Sequence, residues 1–287
     1  MLKRIYLNLR AAKLALTGRW LTPGDVAASY DSLAGTYQAN WLTHLCRTTD
    51  RLHELLPAGD LRRILDLGCG SGYSTAFLAK KYPSAEITAV DISAEMIRHA
   101  RETIDDVRNV NFAQSDMLRH LKSLPAHSHD LIFSAWAIGY STPAKIIAES
   151  HRVLRSGGTL AVIVNRLGTM PTVFTAFRRT MRAFPASLEK AVWPRFPRSP
   201  GEIGTYLKRH AMDVKILEAG VVPITPPTPP HRLDWLLGTG VLAGFDTVLP
   251  LREPSEARRF FENEIDAATA GWEHHYIMFV AKPGHEA

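Results

Sequence analysis

The stretch Asp66-Leu-Gly68-Cys-Gly70-Ser-Gly72 constrains this chain more than any other feature. It directly follows the short apolar run Arg63–Leu67 and leads into a helical pattern over Ser74–Tyr82 that Pro83 stops. A glycine-rich turn between strand and helix lets a ligand approach the backbone closely, beside the helix N-terminus. The spacing decides which ligand. The dinucleotide fingerprint G-x-G-x-x-G needs glycine at position 73, where Tyr73 stands. The lysine and Ser/Thr of a phosphate-binding P-loop are also missing, so a nucleoside triphosphatase and a nicotinamide dehydrogenase are both disfavoured.

The rhythm set by this turn continues. Glu86–Asp91 is a second short run, and Ser93 can cap the helix that carries Met96, Ile97, Ala100 and Ile104. Val110–Gln114 is a third run, ending before Ser115, Asp116 and Met117. Asp130–Ala135 is a fourth. Thr142 and Pro143 then open a helix expected to run to about Leu154 and to stop at Gly157-Gly158, before a fifth run, Thr159–Asn165. Apolar runs alternating with helices imply βαβ units and a parallel sheet. Asp91 falls nineteen positions after Gly72, where an acid can accept hydrogen bonds from a ribose diol. Asp66, Asp91 and Asp116 would then line one crevice at the strand ends.

Beyond residue 165 the pattern changes. Residues 166–210 hold nine Lys or Arg against only Glu189 and Glu202, together with Phe174, Phe177, Phe184, Trp193 and Phe196. They read as a basic, apolar helical cap. A strand is expected over Val214–Ile224, a stiff extended connector over Pro223–Pro230, helices over 231–271 and a last strand within Trp272–Lys282. The segments are thus 1–60 (basic helix and lid), 61–165 (ligand-binding core), 166–213 (cap) and 214–287 (last two strands with the connector and a helical insertion).

Composition narrows the class. Of 287 residues 46% are hydrophobic, enough for a sizeable core, and no apolar run is long enough to span a membrane. Two cysteines, Cys46 and Cys69, exclude a disulfide scaffold and a four-cysteine metal site and suit a reducing cytoplasm. No His/carboxylate set points to a metal. The net charge of +6 is local. Residues 1–24 carry Lys3, Arg4, Arg10, Lys13 and Arg19 with no acid before residue 25. Leu2, Ile5, Tyr6, Leu9 and Leu16 form a partial apolar stripe there. The leading expectation is a helix that caps the protein's own core; a peripheral helix on a membrane surface is the alternative.

Residues 64–165 resemble a class I S-adenosylmethionine-dependent methyltransferase. ILDLGCGSGYST, ITAVDISAEMI, FAQSDM, HDLIFSAWAIGYS and HRVLRSGGTLAVIV are similar to that family's five motifs in order. Tyr30-Asp-Ser-Leu-Ala-Gly-Thr-Tyr37 is similar to the lead-in of ubiquinone/menaquinone-biosynthesis and other small-molecule methyltransferases. The resemblance implies an α/β, Rossmann-like, seven-stranded, mostly parallel sheet with an antiparallel last strand, an N-terminal helical lid and helical cap insertions. It implies S-adenosyl-L-methionine as cofactor and S-adenosyl-L-homocysteine as product. It also implies roles. Asp66, Gly68 and Cys69 would face the methionine part, and Gly70 and Gly72 would keep the loop open. Asp91 would hold the ribose, with Ile92 and Met96 packing nearby. Ser115, Asp116 and Met117 would bracket adenine. Ser134 and Ala135 would line the floor, and Tyr30 and Tyr37 would close the lid.

Such chemistry needs alignment of nucleophile, methyl and sulfur, and aromatic faces favour a sulfonium. Trp136 and Tyr140 are the candidates beside the fourth strand, and His44, beside the lid motif, is a candidate base. The Asp-Pro-Pro-Tyr-type signature of nucleic-acid amino methyltransferases is absent after the fourth strand, where Ser134-Ala-Trp136 stands. The expected acceptor is a hydrophobic, anionic small molecule rather than a nucleic acid. A catalytically silent cofactor-binding scaffold is the competing reading.

Overall fold

A computed structural model describes residues 2–104, 107–192 and 195–284. Trp193, expected in the cap, lies outside the described residues. In chain order the elements begin with α1 (Leu2–Leu16), α2 (Pro23–Tyr37), a π-helical turn (Gln38–Leu42) and α3 (Thr43–Glu54). The alternating part runs β1 (Arg63–Leu67), α4 (Tyr73–Lys81), β2 (Glu86–Asp91), α5 (Ala94–Thr103), β3 (Val110–Gln114), α6 (Met117–Ser123), β4 (His129–Ala135), α7 (Pro143–Val153) and β5 (Leu154–Asn165). Then come α8 (Pro171–Ala183), α9 (Pro200–Arg209), β6 (Met212–Pro223), α10 (Arg232–Leu237), α11 (Phe245–Val248), α12 (Glu256–Asp266) and β7 (Glu273–Pro283).

The chain forms two compact units, each assembled from separate stretches. One comprises residues 45–167, 195–222 and 275–287; the other comprises 1–44, 168–194 and 223–274. The first holds the sheet, in the order β3-β2-β1-β4-β5-β7-β6. β1 through β5 pair in parallel, and β7 runs antiparallel to β5, with Leu160 opposite Ala281 and Asn165 opposite Tyr276. The central strands are covered on both faces, which is why they read as nearly continuous apolar runs. Ile64, Leu65, Leu67, Leu131, Ile132 and Phe133 are all fully buried. β3 and β6 are the edges and are only partly covered. Because β1 is flanked by β2 on one side and β4 on the other, a crevice opens beyond their C-terminal ends.

Two local boundaries differ from expectation. α7 ends at Val153, about where expected, but β5 begins at Leu154 rather than Thr159, so Gly157 and Gly158 lie inside the strand instead of before it. Of the basic stretch 166–213, α9 packs Ile203 and Leu207 into the core of the sheet unit, whereas α8 lies in the helical unit. Helical periodicity cannot say which core a helix will cover.

The helical unit is centred on a buried polar knot. The Ser29 hydroxyl donates to Asp246 Oδ1 at 2.7 Å, Arg252 Nε donates to Asp246 Oδ2 at 2.6 Å, and Ser29 Oγ accepts the Gly244 N–H at 3.0 Å. Arg232 satisfies the carbonyls of Ile265, Asp266 and Ala268 at the C-terminal end of α12. The expectation that the stripe of α1 covers the protein's own core is not met. Only Leu14 of α1 is buried, while Leu2, Leu9 and Leu16 are 83%, 63% and 88% exposed. The residues that tie α1 down are polar ones. Lys3 Nζ donates to Ala183 O and Arg10 Nε to Leu188 O. Among the described residues no helix is long and apolar enough to cross a membrane.

Phe279 of β7 is fully buried at the centre of the sheet unit. Phe279→Ala is expected to lower unfolding free energy by about 3–5 kcal/mol, read from urea denaturation of the purified protein.

Candidate active site

The glycine loop leaves β1 and is held by the strand beside it. Val90 O accepts both the Gly68 and the Cys69 N–H, at 2.7 and 3.0 Å. The Asp91 carboxylate does the rest. Its Oδ2 accepts the Gly70 N–H and its Oδ1 the Ser93 N–H, each at 2.9 Å. An ionised carboxylate has about four acceptor sites in all, so Asp91 can serve more than one partner.

Two glycines here do different things. Gly68 has φ +76°, and a Cβ on it would lie 2.2 Å from the Cβ of Ala137. That position is closed by the protein itself. Gly70 has φ +53°, and a Cβ there would meet nothing within 4 Å. Its backbone is the one open to an incoming group. Gly72 starts α4 against α5, where Ala100 would be 3.1 Å from an added Cβ.

Asp66 sits beneath the loop, 1% exposed, and accepts the Thr75 hydroxyl at 2.6 Å. Burial pushes its carboxyl up to about 7; the Thr75 hydrogen bond works against this, and the charge of Asp91 adds to it. Burial also raises the Cys69 thiol, so it is not a thiolate nucleophile. Met96 is 1% exposed and belongs to the core, whereas Ile92 is half-buried at the loop after β2. Asp116 caps α6, its Oδ1 accepting the Arg119 N–H at 2.9 Å, and the Ser115 N–H donates to Asp91 O. The Ser134 hydroxyl donates to Leu67 O at 2.6 Å and ties β4 to β1.

Trp136 follows β4 with φ +65°, an uncommon conformation for a bulky residue. Its N–H donates to Ile163 O at 2.7 Å, and its ring meets Tyr276 edge-on at 5.8 Å. Tyr140, in a 3₁₀ turn over Ile138–Tyr140, packs edge-on against Phe196 at 5.8 Å. All of these residues share the C-terminal end of the parallel strands. Tyr30, Tyr37 and His44 belong to the helical unit. There Tyr30 and Tyr37 meet edge-on at 6.1 Å, and His44 lies between Trp41 and Trp235, each 6.1 Å away. Burial lowers the pKa of the His44 ring.

Several residues of this region escaped sequence reasoning. Arg166 immediately follows β5 at the same end of the sheet. It bonds the Nδ1 of His275 at 2.7 Å, and no carboxylate pairs with it among the described residues. Thr49 and His53 are polar residues buried on the inner face of α3, a signal that periodicity alone could have flagged. No cluster of His, Cys, Asp and Glu among the described residues could hold a metal ion.

A sheet of this strand order, with a glycine loop after β1 and an acid closing β2, defines the class I methyltransferase fold. Residues 64–158 match the methyltransferase domain family. A trans-aconitate 2-methyltransferase of Azoarcus sp. is 28% identical over 74% of this chain and 81% of its own length. A malonyl-[acyl-carrier protein] O-methyltransferase of Herminiimonas arsenicoxydans is 30% identical over 58% of this chain, which spans only 59% of that relative. A putative methyltransferase solved in complex with the Haloferax volcanii Trm112 activator superposes with a TM-score of 0.56 at 18% identity, over 89% of this chain and 98% of its own. A geranyl diphosphate methyltransferase gives 0.51 at 15% identity, over 83% and 78%. Residues 64–158 are thus a methyltransferase domain, carried in a sheet with the class I S-adenosylmethionine-dependent methyltransferase fold.

Gly68→Ala is expected to cost on the order of 3 kcal/mol of stability, from overlap plus a disfavoured φ. Gly70→Ala should cost only about 1 kcal/mol, from φ alone. Parallel urea titrations of the two variants check this contrast.

Proposed function

We propose that the protein transfers the cofactor's methyl group to a small molecule that carries a carboxylate on a hydrophobic body. The observation that carries this reading is Arg166. It is a guanidinium at the catalytic end of the sheet whose only side-chain partner among the described residues is the His275 ring. Such a fork suits bidentate recognition of a carboxylate. The names of the two relatives, trans-aconitate and malonyl-carrier methyltransferases, fit the same acceptor chemistry.

The loop fits the cofactor. The backbone at Gly70 is open, and the Asp91 carboxylate is already oriented by two N–H groups and can accept the ribose hydroxyls. When bound, the cofactor supplies a methyl group on a sulfonium, transferred by in-line displacement. The chain's part is to hold and align. Asp66 faces the cationic methionine end, Ser115 to Met117 border the adenine, and the Trp136 and Tyr140 rings flank the transfer path. Tyr30 and Tyr37 are the proposed lid residues, and His44, whose pKa burial lowers, is the proposed base for an acceptor that arrives protonated.

Two measurements test this. In a labelled-cofactor assay, carboxylic acids with apolar bodies are expected to be methylated, and Arg166→Gln is expected to raise their KM roughly tenfold while leaving S-adenosylhomocysteine affinity unchanged. Transfer confined to small polar amines would overturn the acceptor assignment. Cofactor affinity is also expected to depend on pH. A cationic ligand favours the ionised form of Asp66, whose pKa is about 7 without ligand. Affinity therefore rises with pH up to about 7 and then levels, and Asp66→Asn removes the slope.

We also infer that α1 rests on an anionic membrane surface. Its stripe of Leu2, Ile5, Tyr6, Leu9 and Leu16 is exposed, and its charged residues are all basic. Arg178, Arg179 and Arg182 are exposed on α8, which packs beside α1 in the same unit. Each such cation near an anionic bilayer contributes about 1 kcal/mol, and inserted leucines add to it. The full chain is expected to pellet with phosphatidylserine vesicles and not with neutral ones. An Ile5→Asp, Leu9→Asp double variant is expected to stay in the supernatant; equal pelleting of variant and parent would remove α1 from the contact.

A further inference from the structure

α3 sends two polar side chains, Thr49 and His53, into the interior of the sheet unit, 1% and 2% exposed. They stand four residues apart and so lie on one face of the helix. Thr49 Oγ1 accepts the indole N–H of Trp136 at 2.9 Å and donates to Leu45 O at 3.1 Å. Its single proton and its lone pairs are thereby committed in a defined direction. His53 Nε2 lies 3.0 Å from the hydroxyl of Ser74, the second residue of α4, and its Nδ1 lies 3.4 Å from Asp50 Oδ1. Nδ1 makes no hydrogen bond, and its approach to a carboxylate that only accepts favours the tautomer with the proton on Nδ1, in which Nε2 accepts from Ser74.

The imidazole is fixed by stacking as well. It lies parallel to Phe77, with centroids 4.0 Å apart at 6°, and against Phe133 at 5.5 Å. Desolvation pushes the ring down to about 4. The charge of Lys81 acts in the same direction and Asp50 opposes it, so the ring is neutral across physiological pH. Tyr73 OH donates to the same Asp50 oxygen at 2.7 Å and adds a second link from α4 to α3. The order Ser74–His53–Asp50 has the connectivity of a nucleophile relay. Ser74 is only 7% exposed, however, and begins the helix that follows the glycine loop. The network therefore holds position.

Both ends of this arrangement need holding. The glycine loop has positive φ at Gly68, Gly70 and Gly72, and Trp136 has φ +65°. Such conformations persist only where surrounding contacts over-determine them. We propose that Thr49 and His53 are positioning residues through which α3 clamps the Trp136 turn and the glycine-loop helix together and so presets the cofactor cradle. The inference rests on the reading of the glycine loop as the S-adenosylmethionine site.

The test uses the full chain with Thr49→Val, Thr49→Ser and Ser74→Ala, alongside Trp136→Phe to assign that residue's near-ultraviolet dichroism. Thr49→Val keeps the volume and loses the acceptor. It is expected to weaken S-adenosylhomocysteine binding about tenfold by calorimetry, to change the Trp136 signal, and to raise the cofactor KM more than it lowers kcat. Thr49→Ser is expected to restore all three. Ser74→Ala is expected to weaken binding to a similar degree with the Trp136 signal intact; it carries the test if Thr49→Val does not fold. Parental affinity in both Thr49→Val and Ser74→Ala would overturn the clamp, as would a loss that Thr49→Ser fails to restore. Absence of binding in the parent itself, unchanged by Asp91→Ala, would instead remove the cofactor reading, and the clamp would then stand or fall on the Trp136 signal of Thr49→Val.

Discussion

The carboxylate of Asp91 is the joint on which the site depends. It closes β2 and accepts one N–H from the glycine loop after β1 and another from the cap of α5. Without it the loop would have three residues at positive φ and no acceptor from the neighbouring strand at its centre. Hydrogen bonds to an ionised acceptor are the strong ones, and this pair lies at a partly buried strand end where water competes poorly. The acid proposed to bind the ribose is thus also the acid that shapes the cradle. Substitution of such a residue removes an anchor and a ligand together.

Around that joint the unit is built from buried polar ties between apolar strands. Ser134 bonds Leu67 O, Thr75 bonds Asp66, Thr49 takes the Trp136 indole and His53 takes Ser74. In each tie a buried polar atom meets a partner, as burial demands. The ties lie near the C-terminal ends of β1 and β4, where the chain leaves regular structure, and they fix loops that hydrophobic packing alone would leave less defined. The central strands supply stability, and the polar ties supply geometry.

Charge is distributed differently. The basic residues that give the chain its net positive charge concentrate on α1 and α8 of the helical unit, along with an apolar stripe that faces solvent. Arg166 is separate from that surface, at the end of the sheet beside His275. The structure thus divides what the sequence presented as one basic stretch between the two units, with Arg178, Arg179 and Arg182 on α8, Lys208 and Arg209 on α9, and Arg166 at the end of β5.

The sequence by itself determined the alternation of strands and helices, the glycine loop and the acids that close the first strands. Those features are local. A parallel strand covered on both faces must be apolar, and a loop with positive φ must be glycine, so the residues announce them. Only the tertiary structure decided that Gly68 is closed by Ala137 while Gly70 stays open, that α9 serves the sheet and α8 the helical unit, that the stripe of α1 is left exposed, and that Thr49 meets Trp136, His53 meets Ser74 and Arg166 meets His275. Each depends on what another segment places opposite the residue. A helical period shows that a face exists; which partner covers it is settled by contacts between residues far apart in the chain.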